Sequence, residues 1–268
     1  MVGTRVGTIA GLWRYPVKSM LGEALPEAEI GEKGLAGDRA YALVDARTGR
    51  VISAKNPKRW PRMFELRASC ASPPRPDEDP PPVHVHFPDG DSVTSGEPGA
   101  EERISRFLGG DVRIVTSTPE QPAVEGYTPP IPGLVEEFYE FHLPPGPFHD
   151  SAAIHLVTAA TLARLGELYP AGRFDVRRFR PNLLLETGDP PGFVEQAWIG
   201  GTLTVGGARV RLTKPCSRCV MTTLPQGDLP DDRGILRTVV AGADGDVGVK
   251  GPVARPGRVK LGEPASLE

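Results

Sequence analysis

Short β-patterned runs, each stopped by proline or glycine, set the limits on what this chain can fold into. Thirty prolines and 32 glycines are spread through 268 residues. Proline removes a backbone donor and fixes φ, and glycine supplies the φ freedom that turns need. Such punctuation predicts a mainly β protein of the α+β kind, rich in turns, with a few short helices.

Taken in order, the first half predicts strands over residues 7–15, 21–30 and 40–45. A hairpin turn at Arg47-Thr48-Gly49-Arg50 returns as a strand over 51–54. Further strands are expected at 64–70, 83–87 and 112–116, and a short helix at 101–108. Residues 72–82 read as a polyproline loop. His84 and His86 share one strand face; two histidines could bind metal, and a solvated face is the simpler reading. The turn-rich stretch 119–133 is the expected boundary, which divides the chain into domains 1–120 and 121–268. In the second half, residues 138–149 read as a loop and 154–157 as a strand. Thr158 caps a helix to Leu168 with Leu162, Leu165 and Leu168 on one face. Strands follow at 183–186 and 202–205, then a Gly206-Gly207 hairpin into the cysteine strand, and late strands at 235–240 and 258–261. No repeat with a period of about 20–50 residues is present.

The balance of charge narrows the function classes. Net charge is −3 and the pI about 6.0, so nothing points to nucleic-acid or membrane binding. Hydrophobic content of 39% with 24% charged residues is ordinary for a globular chain. The apolar patch at residues 9–13 is closely bracketed by Arg5 and Arg14. It is too short for a signal sequence or a membrane span. Three cysteines make no disulfide framework and suggest a reducing compartment. The expected location is the cytoplasm.

Two of the three cysteines fall in Lys214-Pro215-Cys216-Ser217-Arg218-Cys219-Val220-Met221-Thr222-Thr223. The alternation Val210, Leu212 predicts a strand that Pro215 breaks, leaving both thiols in a turn beside Lys214 and Arg218. Neighbouring cations favour the thiolate, which attacks electrophiles and binds metals. A structural zinc site needs four ligands, and one CxxC supplies two. A thioredoxin-type pair should open a helix, and Val-Met-Thr-Thr is a poor helix start. A buried thiol pair, a metal ligand and a sulfur carrier stay open on the residues alone.

This signature resembles that of the MOSC domain, the molybdenum cofactor sulfurase C-terminal domain, and within it the amidoxime-reducing components and their bacterial relatives. Tyr15-Pro16-Val17-Lys18-Ser19 and Gly37-Asp38-Arg39 resemble motifs of the MOSC N-terminal β-barrel domain. Phe179-Arg180-Pro181-Asn182 and Trp198-Ile199-Gly200 match farther on. The resemblance implies an N-terminal β-barrel followed by a β-barrel-like MOSC domain, with the molybdenum cofactor (Mo-molybdopterin) between them. Cys219 is then the metal ligand and catalytic residue. Lys18, Ser19, Arg39, Arg180, Asn182, Ser217, Arg218 and Thr158 are the implied cofactor contacts. A terminal phosphate calls for such donors, with Arg binding bidentately and Lys as a point charge. Asn182 could equally close a turn, and Thr158 could serve only as a helix cap. Cys216 is either a buried thiol or the carrier of a transient persulfide, and Cys70 belongs to the barrel core. Trp198-Ile199-Gly200 reads as structural.

The implied reaction is reduction of small N-hydroxylated compounds. Three cysteines cannot build a four-thiolate iron–sulfur cluster. The resemblance therefore implies a separate electron donor, a ferredoxin or cytochrome type with its reductase. Mitochondrial relatives carry an N-terminal targeting and membrane segment, which is not expected here. The alternative is a sulfur carrier that uses a cysteine persulfide in metal–sulfur or molybdenum cofactor assembly. Storage of the cofactor without turnover is a third.

Overall fold

The computed structural model describes residues 3–76, 78–116 and 122–268. The protein is mostly β, with three short helices among the described residues. Its centre is a ten-stranded sheet. In spatial order the path runs Lys214–Ser217, Asp246–Gly251, Ile154–Thr158, Leu183–Glu186, Thr4–Arg14, Pro264–Leu267, Thr202–Val205, Ala208–Arg211 and Val253–Arg255, with Glu23–Ala24 added beside Thr4–Arg14. Strand Thr4–Arg14 thus lies between two strands of the second half. Gly257–Lys260 pairs in turn with Glu27–Gly31. The expected domain boundary at 120/121 lies outside the described residues.

The strand order is an open path, not the closed barrel that was expected. Its two ends do approach: Arg211 N–H donates to Pro252 O and Thr213 N–H to Lys250 O, both at 3.0 Å. Pro252 lacks an N–H, so the ladder is interrupted where closure would need it.

Alternating apolar residues set the register of this sheet. Ile9, Leu12, Leu183, Leu185, Leu203 and Val249 point into one buried cluster. A second cluster, with Val17, Met20, Leu43, Met63, Leu66 and Ile104, fills the N-terminal part. Met221 is buried in that second cluster and Cys219 packs against it. The cysteine turn is therefore wedged into the N-terminal core.

Several expectations are corrected. Residues 235–240 are not a strand: they lie in helix α3, Arg233–Gly242. Asp232 caps it by accepting from Gly234 N–H, and Ile235, Leu236 and Val239 recur at helical spacing on the buried face. Residues 51–54 form no returning strand, and only Val51 makes isolated bridges, to Val44 and Val124. The aromatic stretch expected as a loop holds strand Glu137–His142, paired in register with Ala123–Thr128. Gly126 permits this hairpin, since a Cβ there would stand 2.2 Å from the Tyr139 ring. Pro215 does not break its strand either: it lies within Lys214–Ser217, opposite Val249. A proline is tolerated there because this is an end strand of the path.

The helices α1, Ala100–Leu108, and α2, Ala159–Leu168, form where expected. Leu165 of α2 is buried, whereas Leu168 is exposed. Among the described residues no helix is long and apolar enough to cross a membrane.

Candidate functional site

A cavity of about 250 Å³ lies where the cysteine turn meets the N-terminal part. It is lined by Lys18, Ser19, Arg39, Arg180, Asn182, Ser217, Arg218 and Cys219, every expected site residue except Thr158. Thr158 is fully buried and spends its hydroxyl elsewhere. It accepts from Thr161 N–H as the cap of α2 and donates to Glu195 Oε2 at 2.7 Å. Thr158 does not line the cavity.

Backbone conformation marks the same place. Among the described residues four non-glycine residues have positive φ, and three are Ser19 (64°), Arg39 (50°) and Arg180 (53°). The left-handed region costs an L-residue roughly 1–2 kcal/mol, and such strain gathers at functional sites. All three residues line the cavity.

The donors are held by their neighbours. Arg39 pairs with Asp38 and donates through Nη2 to Arg180 O at 3.2 Å. Arg180 Nη1 donates to Met20 O at 2.6 Å. Both guanidiniums lie over the ring of Tyr15, at 4.7 and 4.2 Å from its centroid. Arg218 donates through Nη2 to Phe179 O at 2.8 Å and through Nη1 to Cys216 Sγ at 2.9 Å. Asn182 is held from both sides: it accepts from His155 N–H at 3.2 Å and donates to Trp13 O at 3.3 Å. Ser19 Oγ and Ser53 Oγ share a hydrogen bond of 3.1 Å.

Sequence reasoning missed Ser53, Lys55, His149, Asp150, His155 and Lys250, which line the same cavity. Asp150 bridges two lysines, Lys18 at 2.5 Å and Lys55 at 3.0 Å. None of these residues falls in a motif read from the sequence. Among the described residues the cavity gathers six cationic side chains, Lys18, Arg39, Lys55, Arg180, Arg218 and Lys250, against one carboxylate, Asp150.

Burial and charge act together here. Burial lowers the pKa of Lys18, with Asp150 opposing. Burial also works against charge on Lys55, but Asp150 and then Cys219 outweigh it and raise its pKa. Burial pulls Arg180 down to about 10, with Arg39 adding to the effect. Asp150 is held well below the usual carboxylate range: burial would raise it, and Lys18 and Lys55 overcome that. The same contest decides Cys216. Burial would raise its thiol, yet His155, Arg218 and Lys250 bring it down to about 5. These neighbours favour the thiolate form of Cys216.

Cys219 stands at the cap of the 3₁₀ turn Val220–Thr222. Its carbonyl accepts from Thr222 N–H at 3.1 Å and from Thr222 Oγ1 at 3.0 Å. Among the described residues no cluster of three or more His, Cys, Asp or Glu could hold a metal by itself. The thiol ligands this cavity could offer a metal are Cys216 and Cys219. The arrangement fits an anionic cofactor. Cations outnumber carboxylates, and three buried polar atoms beside the site, Tyr15 OH, His149 Nε2 and Arg218 Nε, have no partner among the described residues. Cys70, by contrast, packs against the N-terminal core, and burial lifts its thiol to about 11.

The chain is similar to several known proteins. Mitochondrial amidoxime-reducing component 1 of Homo sapiens is 24% identical, over 98% of this chain and 83% of that protein. Mitochondrial amidoxime reducing component 2 of Macaca fascicularis is 27% identical, over 82% and 67%. Among solved structures, the YUAD protein from Bacillus subtilis is similar at a TM-score of 0.49 and 12% identity, covering 97% of this chain and 94% of that one. YiiM from Geobacillus stearothermophilus is similar at 0.34 and 20%, covering 44% and 54%. Residues 6–102 match the MOSC N-terminal beta barrel domain and residues 144–266 the MOSC domain, so the chain belongs to the MOSC family.

Proposed function

We propose that this protein is a molybdenum-cofactor-dependent oxidoreductase. It reduces small N-hydroxylated compounds with electrons from a separate donor protein of the ferredoxin or cytochrome type. One observation carries the reading: a single cavity presents the Cys219 thiol amid six cations and one carboxylate. That chemistry suits a soft metal on sulfur and a phosphate on arginine. The relatives' names and the site point the same way.

In this reading Cys219 supplies the thiolate ligand, and Arg39, Arg180, Ser217, Arg218 and Asn182 hold the anionic end. Lys18 and Lys55, tied to Asp150, keep positive charge beside the thiolate. When bound, the cofactor supplies the oxygen-accepting redox chemistry. Overall, the N–O bond breaks, two electrons and two protons are consumed, and an N–H product and water form. The protein's share is to bind, orient and balance charge. Residues 1–120 and 121–268 are the proposed division of the chain, with the cofactor between them.

A second reading is favoured by Cys216, whose thiolate is held by Arg218 at 2.9 Å. A sulfur carrier would use such a thiolate for a persulfide and would need no bound pterin. Elemental analysis separates the two. About one molybdenum per purified chain, retained through gel filtration, is expected for the first reading. The loaded protein should turn over a model amidoxime when given a reduced donor protein or dye. Releasable sulfane sulfur without molybdenum would overturn the first reading in favour of the second.

A further inference from the structure

Arg178 is the largest fully buried side chain among the described residues. Nothing in the site accounts for it. It does not line the cavity, and among the described residues it forms no salt bridge with a carboxylate. A buried guanidinium is costly unless every donor finds an acceptor. Arg178 places four of its five N–H donors on backbone carbonyls. Its Nε donates to Arg173 O at 3.0 Å. Nη1 donates to Thr222 O at 3.0 Å and to Leu224 O at 3.3 Å, and Nη2 to Pro230 O at 2.8 Å.

Three of these carbonyls belong to the loop that follows Cys219. The loop closes on itself where Asp232 N–H donates to Thr223 O at 2.8 Å, and it curls round the guanidinium. Thr222 is the link to the thiol. Its N–H and hydroxyl both hold the carbonyl of Cys219, while its own carbonyl is held by Arg178. The other side of Cys219 is gripped by the next residue along: Phe179 O accepts from Arg218 Nη2. Arg178 and Phe179 therefore hold the cysteine turn both before and after the thiol, and Arg180 then reaches into the cavity.

We propose that Arg178 is a positioning residue that sets how Cys219 is presented to the cavity. The proposal rests on the reading of Cys219 as the functional thiol. Only a guanidinium can span these acceptors, because a lysine ammonium has three donors at one point. Arg173 and Arg177 grip the same loop from outside, through Asp228 at 2.7 Å each. Those pairs are exposed and reach neither Thr222 nor Cys219, so they serve as a control.

The test uses the full chain with Cys70→Ala and Cys216→Ser, leaving Cys219 as its one thiol. The readout is the second-order rate of alkylation by iodoacetamide, measured beside the melting temperature. Arg178→Lys should change that rate on the order of ten-fold, the effect of losing one charge-assisted contact. Arg173→Ala should leave the rate within roughly two-fold while still costing a little stability. If Arg178→Lys fails to fold, Arg178→Ala with added ethylguanidinium takes its place, and the expected result is restoration of the original rate. An unchanged alkylation rate in a folded Arg178 variant overturns the proposal, as does an equal change in Arg173→Ala. This assay needs no metal, so its failure leaves the molybdenum reading standing. Absence of molybdenum in a protein that shows the rate change would sink only that reading.

Discussion

The Arg39 guanidinium donates to the backbone carbonyl of Arg180 at 3.2 Å, joining residues 141 positions apart. Both residues have positive φ, and both guanidiniums lie over Tyr15. Burial lifts the Tyr15 hydroxyl to about 12, against the pull of these cations. This pair of arginines therefore comes together only once the two halves of the chain have met.

Arg39→Ala and Arg180→Ala should each lower affinity for a phosphate-bearing ligand. A lost charge-assisted contact weakens binding by about 1.5–3 kcal/mol, or more than ten-fold. Arg180→Gly should lose binding equally but be more stable than Arg180→Ala by about 1 kcal/mol, because glycine accepts positive φ without penalty. Calorimetric titration with inorganic pyrophosphate, paired with urea unfolding, checks both. Unchanged binding in both alanine variants would remove these arginines from the site.

Cys219→Ser should abolish molybdenum-centred activity, since a hydroxyl replaces a soft thiolate poorly. Cys216→Ser should retain much of it. Metal content per chain and turnover of an amidoxime are the measurements. Equal loss in both variants would point to a disulfide or carrier role for the pair.

The Cys216 thiol should titrate near 5, from an ordinary value of 9.0. Its folded pKa lies below its unfolded one. The stability it contributes is thus complete above about pH 9 and is lost as pH falls through about 5. The unfolding free energies of the parent and Cys216→Ser should converge over that window. Alkylation of Cys216 should already be fast at pH 6, where an ordinary thiol is slow. A reactivity midpoint near 8.5 would contradict the geometry of the Arg218 contact.

Thr158→Ala should destabilise the fold by about 1–2 kcal/mol, through loss of the α2 cap. Glu195 would also lose one of its two hydroxyl donors. Pyrophosphate binding should stay unchanged, since Thr158 does not line the cavity. Weakened binding at unchanged stability would restore it as a ligand contact.

What the sequence determined by itself was local. Proline and glycine spacing set short strands, and the turn motifs carried Lys18, Ser19, Arg39, Arg180 and Cys219, all of which line the cavity. Such residues were legible because each lies inside a patterned stretch. The tertiary structure decided the rest. Asp150 meets Lys18 across 132 positions, and nothing in either one's neighbours announces the other. Residues 235–240 read as a strand because β-branched residues suggest one, yet the Asp232 cap and packing of Ile235 and Val239 made a helix. The Glu137–His142 strand was hidden because its register depends on a partner strand and on Gly126. Arg178 is one of four arginines, with Arg173, Arg177 and Arg180, in a short stretch of the sequence. Only packing separates it from Arg177, which faces Asp175 and Asp228 outside while Arg178 is fully enclosed. Charge and hydrogen bonding over such distances depend on which strands pair, and strand pairing is a property of the whole chain.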